Sequence, residues 1–374
     1  MDKNFDAAPP QVALAKVFSS VTLLGPPMGD QLVQLIRHLF SPEEAEIARH
    51  LPYYYPRSQQ SLKKLAAKAG QTPEEALLLL EAMSKRRTIF KTRKGYALLP
   101  LIPGMFERML ISGVDSEWHK EYARMLNELY ATGYVRKYNN RRVPGVRNLP
   151  VQKAVEGKTK IIDADLVSEM IDFHKELLVA NVCQCRQSTR FSGKECKRSK
   201  PEDGCLVFGS FATMVAANKD GRLVSKEEMR DITQERWEKK LVFFTANVSP
   251  QSPNAICTCC DCCCHYLESV NKFGGIANFA HSHFLAQVEE SLCNDCGKCA
   301  KACNTYAHIF KDKKHSFASE KCIGCGVCVT VCKQDALKLV ENPAFRPPSK
   351  GFVQLAIKLL PGTVIAGMKA RLTG

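Results

Sequence analysis

Two closely spaced runs of cysteine constrain this chain more strongly than any other feature of its sequence. The runs share the spacing Cys-x2-Cys-x2-Cys-x3-Cys, and their members are Cys293, Cys296, Cys299 and Cys303, followed by Cys322, Cys325, Cys328 and Cys332. Three thiolates of one such loop can bind three corners of a 4Fe-4S cubane while the fourth ligand comes from elsewhere. A pair of zinc knuckles is the alternative, but zinc sites favour paired Cys-x2-Cys units. The repeat therefore predicts two 4Fe-4S clusters.

The stretch that carries the two runs resembles a bacterial-type ferredoxin with two 4Fe-4S clusters. In that arrangement the last cysteine of each run binds the neighbouring cluster. The resemblance implies two ligand sets, one of Cys293, Cys296, Cys299 and Cys332, and another of Cys322, Cys325, Cys328 and Cys303. A chain that wraps a cube needs positive φ angles and bare amides, which we expect at Gly297, Gly324 and Gly326. Asn304 and Lys333 follow the fourth cysteines, where the usual pattern has proline.

Length and cysteine content set the class of protein that can hold such clusters. At 374 residues the chain is long enough for two or three domains. It contains 18 cysteines and begins with a polar segment, which favours metal ligation in a reducing compartment over a disulfide framework. No uninterrupted apolar run has the length needed to span a bilayer. We therefore expect a cytoplasmic location.

The charge balance indicates the kind of partner. The formal net charge is +15, and two cubanes at about −2 each, with their thiolates, would lower it to about +11. Between Cys293 and Val340, eight lysines stand against four acidic residues. The two clusters would cancel that excess, so the cluster domain is expected to be nearly neutral. This pattern favours a redox partner with an acidic docking surface.

The N-terminal part is predicted to be helical and to end in a hairpin. Capping boxes predict helices that begin after Ser41 and Thr72, a further helix is expected over 61–69, and two short strands over 88–99. Three helices followed by a hairpin indicate a winged-helix domain. The third helix is acidic where a DNA phosphate would approach, so we expect a docking module and no nucleic-acid binding.

Ten further cysteines lie in the middle of the chain, and we expect them to bind metal. They are Cys183, Cys185, Cys196, Cys205, Cys257, Cys259, Cys260, Cys262, Cys263 and Cys264. The last six fall within eight residues, and thiols so close together point in too many directions to be core filling. A third iron–sulfur cluster is favoured, with zinc or a redox-active thiol as alternatives.

The sequence does not determine how these middle cysteines are paired as ligands. If the groups cooperate, Cys183 and Cys185 would share a centre with members of the later run. Cys196 and Cys205 would then hold a separate ion with their neighbours.

The whole chain resembles a family of cytoplasmic multi-cluster iron–sulfur proteins of anaerobic bacteria and archaea. The resemblance is carried by Pro-Gly-Met-Phe-Glu at 103–107, by the Cys-x-Cys-Arg group, by the Cys-x-Cys-Cys-x-Cys-Cys-Cys group and by the ferredoxin stretch. It implies electron transfer with an oxidoreductase partner and supplies no substrate.

We therefore expect an α+β, multidomain protein. Its segments are a winged-helix-like domain over 1–110, a helix and solvated basic linker over 111–165, a cysteine-rich metal-binding domain over 166–290, a ferredoxin domain over 291–341 and an amphipathic tail over 342–374. The tail is predicted to break at Pro361 and to pack against the protein or a partner. Contact with an anionic membrane surface is the alternative.

The function expected from these features is passage of low-potential electrons through the clusters to or from a partner oxidoreductase. No acid–base pair, activated nucleophile or phosphate-binding loop stands out in the sequence. Whether the chain is a carrier or an enzyme stays open. The alternatives are a reductase with an open central iron–sulfur site and a redox-sensing winged-helix regulator.

Overall fold

The computed structural model describes residues 9–20, 25–53, 61–92, 95–99, 101–134, 144–155 and 166–372. The chain forms two compact units, one of residues 1–138 with 363–374, and another of residues 139–362. Helices and strands both make up large parts of the described chain. The expected α+β composition is therefore confirmed.

The first unit is mainly helical. Its elements are α1 (Pro10–Phe18), α2 (Asp30–Leu39), α3 (Pro42–Ala48), α4 (Leu62–Ala69), α5 (Pro73–Lys85), β1 (Phe90–Thr92), β2 (Gly95–Ala97), α6 (Phe106–Leu110) and α7 (Glu117–Ala131). A π-helical turn over Leu101–Met105 precedes α6.

Local capping explains where the short helices of this unit begin and end. Capping boxes at Ser41 and Thr72 open α3 and α5, because each side chain accepts a hydrogen bond from the backbone N–H three residues later. Gly70 ends α4 in the left-handed conformation. The helix starts predicted after Ser41 and Thr72 are confirmed, as is the hairpin of β1 and β2.

The second unit contains all 18 cysteines. Its elements are β3 (Val146–Leu149), α8 (Gln152–Val155), α9 (Val167–Phe173), β4 (Leu177–Ala180), α10 (Gln184–Phe191), β5 (Leu206–Phe208), α11 (Ser210–Ala217), β6 (Gly221–Leu223), α12 (Lys226–Glu238), β7 (Val242–Ala246), β8 (Asn254–Cys259), α13 (His265–Phe273), β9 (Phe284–Val288), α14 (Lys298–Ala302), β10 (His308–Lys311), β11 (Lys314–Phe317), α15 (Val327–Val331) and β12 (Leu337–Glu341). Helix α16 (Phe352–Leu372) begins in this unit.

A six-stranded sheet forms the centre of the second unit. Its strand order is β3-β7-β8-β5-β4-β6, and the neighbouring strands are antiparallel. One face packs α9 and α12 through Met170, Met229 and Trp237 around the fully buried Phe243. This rigid sheet fixes the chain segments that carry the middle cysteines.

The stretch from β9 to β12, residues 284–341, is called the ferredoxin part; it belongs to the same unit and has two short sheets of its own. Strand β9 pairs with β12, and β10 pairs with β11, both antiparallel. Helices α14 and α15 each follow the second cysteine of a run and contact one another. Phe284, Leu337 and Leu339 bury this part in a core shared with Phe244 of the central sheet.

Two expectations about chain segments are wrong. Helix α16 continues through Pro361, because proline removes one backbone hydrogen bond but a helix can continue past that point. The basic linker expected to be solvated contains strand β3, in which Arg147 is buried and donates to the carbonyl of Val248. Pairing with β7 satisfies that backbone, and Lys137, Arg141 and Arg142 of the linker lie outside the described residues.

Candidate metal centres

The first predicted ligand set surrounds one pocket of the ferredoxin part. Cys293, Cys296, Cys299 and Cys332 line an open pocket of about 370 Å³. The rest of its wall mixes apolar side chains such as Val288 and Leu337 with polar ones such as His315. Cys296 is exposed, whereas its three companions are half-buried. Four thiols around one open pocket suit a cubane that lies close to the surface.

The second predicted set is more deeply buried. Cys303 and Cys328 are 9 % and 7 % exposed. Burial, and then the neighbouring Cys303, raises the pKa of Cys325 to about 12. Burial raises the pKa of Cys328 as well, with Cys325, Cys322 and Cys303 adding to the effect. Four thiolates crowded in a buried site need a positive metal core to balance them.

The loops that carry both sets depend on glycine. Gly297, Gly324 and Gly326 have φ angles of 66°, 66° and 75°, so the expectation of positive φ is confirmed. A Cβ atom at Gly324 would lie 1.8 Å from the carbonyl oxygen of Phe284, which no side chain could tolerate. The Gly324 N–H is thereby free to donate to Cys322 Sγ at 3.4 Å.

His315 borders the first pocket and His308 contacts His315; no local sequence pattern marks either histidine. His315 Nδ1 lies 3.9 Å from Cys293 Sγ, and His308 Nδ1 lies 2.9 Å from His315 Nε2. Burial, with His315 as the second cause, lowers the pKa of His308 to about 4. Ligand atoms of Cys299, His308 and His315 lie within 4.8 Å of one another. Because Cys299 also lines the pocket, we interpret the two histidines as hydrogen-bonding partners for the thiols of the pocket.

The central sheet brings one set of middle cysteines together at a single end. Strand β8 is paired with β5 so that Leu206 faces Ile256, and this antiparallel register puts Cys205 opposite Cys257. Cys257 and Cys259 are two residues apart on β8, so their side chains point to the same face of the sheet. Strand β4, beside β5, leads into the Cys183–Cys185 segment at the same end. The six-cysteine group that results is Cys183, Cys185, Cys205, Cys257, Cys259 and Cys264.

The thiols of the six-cysteine group are neighbours in series. The order is Cys183, Cys185, Cys264, Cys259, Cys257 and Cys205. The last contact, from Cys205 to Cys257, measures 3.8 Å. Along the series, the thiol hydrogen bonds lower the pKa of Cys183, Cys264 and Cys257 and raise that of Cys185, Cys259 and Cys205. The group offers six sulfurs, two more than one tetrahedral ion or one cubane binds.

The remaining middle cysteines form a second, more compact group. This four-cysteine group is Cys196, Cys260, Cys262 and Cys263. Three of its members lie in the turn that follows β8, and Cys196 comes from the segment after α10. Arg198 holds that segment to the turn, because its Nε lies 2.6 Å from a carboxylate oxygen of Asp261.

A buried arginine lies between the two groups. The side chain of Arg186 is 1 % exposed. It donates to the carbonyl of Asp203 at 2.8 Å and to the carbonyl of Thr258. Burial works to lower the pKa of Arg186, but thiolates of both groups, Cys183 and Cys260 foremost, raise it above its usual value. The guanidinium therefore balances negative charge on both sides.

Asn304 joins the ferredoxin part to the four-cysteine group. Its side chain is 1 % exposed, donates to the carbonyl of Lys240 at 2.9 Å, and accepts from the backbone N–H of Asp261 at 3.0 Å. Asn271 donates to the Asn304 carbonyl at 3.0 Å. A proline here could not make the side-chain contacts, which explains why this chain departs from the usual ferredoxin pattern.

The structure groups the middle cysteines partly as expected. It brings Cys183 and Cys185 together with members of the later run, but it separates Cys196 from Cys205. Sequence reasoning did not identify Arg186, Asn304, His308 or His315 as parts of the sites. Arg186 had a usable signal, since it directly follows Cys185; the others depend on contacts between distant segments.

Comparison with known proteins identifies one part of the chain. Residues 286–333 match the family model of a 4Fe-4S dicluster domain. No solved structure matches the chain. The match spans both cysteine runs of the ferredoxin part, so this part is a 4Fe-4S dicluster domain, and the prediction of iron–sulfur chemistry is confirmed. The donor sets and glycine loops described above fit such clusters.

Proposed function

We propose that this protein transfers low-potential electrons through two ferredoxin cubanes and a central iron–sulfur cluster, to or from a partner oxidoreductase. The ligands of the cubanes would be the crossed sets, with Cys332 completing the first and Cys303 the second. The six-cysteine group would hold the central cluster. Bound clusters supply one-electron chemistry, and this chain supplies their spacing and surroundings.

One observation carries the proposal: the ferredoxin cysteines and the six-cysteine group share a hydrophobic core. Cys328 is buried in the same core as Cys259 and Cys264, and Cys299 and Cys325 pack against it. Dry, rigid surroundings keep a cluster from reorganising when its charge changes, which favours electron transfer. The exposed Cys296 marks the surface where electrons would enter or leave.

The partner would be attracted by the positive net charge of the chain and would also contact the N-terminal unit. The chain is strongly basic, with a formal net charge of +15, which favours an acidic docking surface. Helix α5 exposes Leu77 and Leu78, at 41 % and 73 %, beside the exposed acids Glu74 and Glu75. Apolar and acidic side chains suit a protein surface rather than DNA phosphate.

The two alternative functions have weaker support. A reductase needs an iron that no cysteine closes, yet the six-cysteine group offers more thiols than the four that one cubane uses. A redox-sensing regulator needs a DNA-reading helix, and the candidate, α5, is acidic at its start. Its Glu81 is also paired with Lys91 of the hairpin at 2.6 Å. Retardation of duplex DNA with steep salt dependence would revive the regulator.

The last helix, α16, exposes part of its apolar surface. In the part of the chain that the structure describes, no helix has both the length and the apolar character required to cross a membrane. Helix α16 exposes Val353 and Ile357, at 75 % and 65 %, so contact of the tail with a partner or with an anionic membrane surface is proposed. We also propose that the electron transfer takes place in the cytoplasm.

The experiment that tests the proposal removes the central cluster and spares the ferredoxin part. The double variant Cys183→Ser/Cys185→Ser of the full chain is prepared anaerobically, and its iron and acid-labile sulfide are compared with those of the unmodified chain. We expect a loss of about four irons and four sulfides per chain, with the paramagnetic signals of the two ferredoxin clusters retained. Unchanged iron with loss of zinc would refute electron transfer through this group.

A further inference from the structure

The four-cysteine group has a geometry that differs from every other cysteine set in the described chain. Cys196 Sγ lies 3.5 Å from Cys260 Sγ and 3.6 Å from Cys262 Sγ, and Cys262 Sγ lies 3.5 Å from Cys263 Sγ. All four sulfurs lie within 4.8 Å of one another. Three of the six possible pairs are thus in hydrogen-bonding contact. Four sulfurs this close together can take the corners of a small tetrahedron.

The distance between the sulfur atoms determines whether the group can enclose one ion or a cluster. A tetrahedral ion with metal–sulfur bonds of about 2.3 Å holds its sulfurs about 3.8 Å apart. The observed separations come close to that value. A cubane places four irons and four sulfides between its thiolates, so its ligands must lie much farther apart. The four-cysteine group has room for one ion and no room for a cluster.

The surroundings of the group hold the four sulfurs in place. Cys260 and Cys263 are buried, at 1 % and 7 % exposed. The backbone N–H of Lys197 donates to Cys262 Sγ at 3.4 Å, as amides do toward metal-bound thiolates. The ion pair of Arg198 with Asp261 at 2.6 Å fastens the segment of Cys196 to the turn that carries the other three.

The group is also independent of the six-cysteine group. The thiol contacts of Cys196, Cys260, Cys262 and Cys263 run among themselves, and those of the six-cysteine group run along its own series. The two groups belong to different parts of the core, with Cys260 and Cys263 beside Phe243 and with Cys259 and Cys264 beside Phe279. The guanidinium of Arg186 lies between them and faces thiolates of both.

We propose that Cys196, Cys260, Cys262 and Cys263 bind a single tetrahedral metal ion, either zinc or one iron, as a centre separate from every iron–sulfur cluster of the chain. All four coordination positions come from the protein, so the site is closed and has no place for a substrate. This inference goes beyond the proposed electron transfer, because it adds a centre that contains no sulfide. A zinc ion would make the centre structural, and an iron would make it a one-electron site.

The test uses the difference in sulfide content between an ion and a cluster. The variant Cys262→Ser of the full chain should lose one metal ion per chain with its acid-labile sulfide unchanged. The matched variant Cys259→Ser, in the six-cysteine group, should lose iron and sulfide together if the proposed function is correct. Loss of sulfide in Cys262→Ser, or no change in metal, would overturn the ion site, and the Cys259→Ser result reports separately on the central cluster.

A measurement on the unmodified chain covers the case in which the variant does not fold. X-ray absorption at the zinc edge should show four sulfur neighbours at about 2.3 Å and no second metal nearby. If zinc is absent, total iron should exceed sulfide by one per chain, since each cubane contains the two in equal number. Equal iron and sulfide without zinc would overturn the proposal.

Discussion

At the residue scale, one asparagine makes hydrogen bonds that the proline of the usual ferredoxin pattern could not make. Asn304 stands where the ferredoxin pattern has proline, and it contacts Lys240, Asp261 and Asn271. The 4Fe-4S dicluster domain could be predicted from the sequence because the spacing of its cysteines is local. The contacts of Asn304 could not, since its partners lie more than thirty residues away in the chain.

Substitution of Asn304 should loosen the junction between the ferredoxin part and the turn of the four-cysteine group. Asn304→Ala would remove the partner of the part-buried Lys240 carbonyl and of the Asp261 N–H, at a cost of at most about 1–3 kcal/mol for each group left unpaired. We expect a lower thermal unfolding temperature, measured by circular dichroism under anaerobic conditions.

The matched control is Lys333→Ala, because Lys333 follows the fourth cysteine of the other run and is exposed. It should change the unfolding temperature little. Equal effects of the two variants would mean that the hydrogen bonds of Asn304 do not stabilise the junction.

At the element scale, the strand order decides how the middle cysteines divide. Cys205 meets Cys257 only because β5 is the neighbour of β8, and Cys183 joins them only because β4 follows β5 in the sheet. The density of thiols is visible in the sequence, which predicts that Cys183 and Cys185 meet members of the later run. The sequence cannot give the strand order, so it paired Cys196 with Cys205, whereas the structure places these two in different groups.

The glycine loops lead to a prediction at this scale. Gly324→Ala would force a Cβ atom against the carbonyl of Phe284, at 1.8 Å if nothing moved, so the loop between Cys322 and Cys325 must shift. We expect the loss of one cubane, or about four irons and four sulfides per chain, measured by metal and sulfide analysis.

Gly193→Ala is a suitable control, since Gly193 also has a positive φ of 71° but has no heavy atom within 4 Å of an added Cβ. The Gly193→Ala variant has the strain of a positive φ but no steric clash, so it should keep its full iron content. If Gly324→Ala also kept its full content, close packing at this loop would not be needed for cluster binding.

At the scale of the whole molecule, the second unit gathers every cysteine of the chain around connected buried cores. The α+β composition and the ferredoxin part could be predicted from the sequence, because capping boxes and cysteine spacing are local signals. The division into two units could not be predicted, since it depends on long-range packing: the middle domain and the ferredoxin part form one unit. That packing supports the route for electrons that we propose between the ferredoxin part and the six-cysteine group.

The central claim, that electrons reach a centre beyond the ferredoxin cubanes, is tested most directly by counting them. The anaerobic full-length chain is titrated with a low-potential reductant while electron paramagnetic resonance follows the clusters. We predict that the chain accepts about three electrons, one for each ferredoxin cubane and one for the central cluster, and that Cys183→Ser/Cys185→Ser accepts about one fewer. Uptake of only two electrons, the same in the chain and in the double variant, would contradict the account.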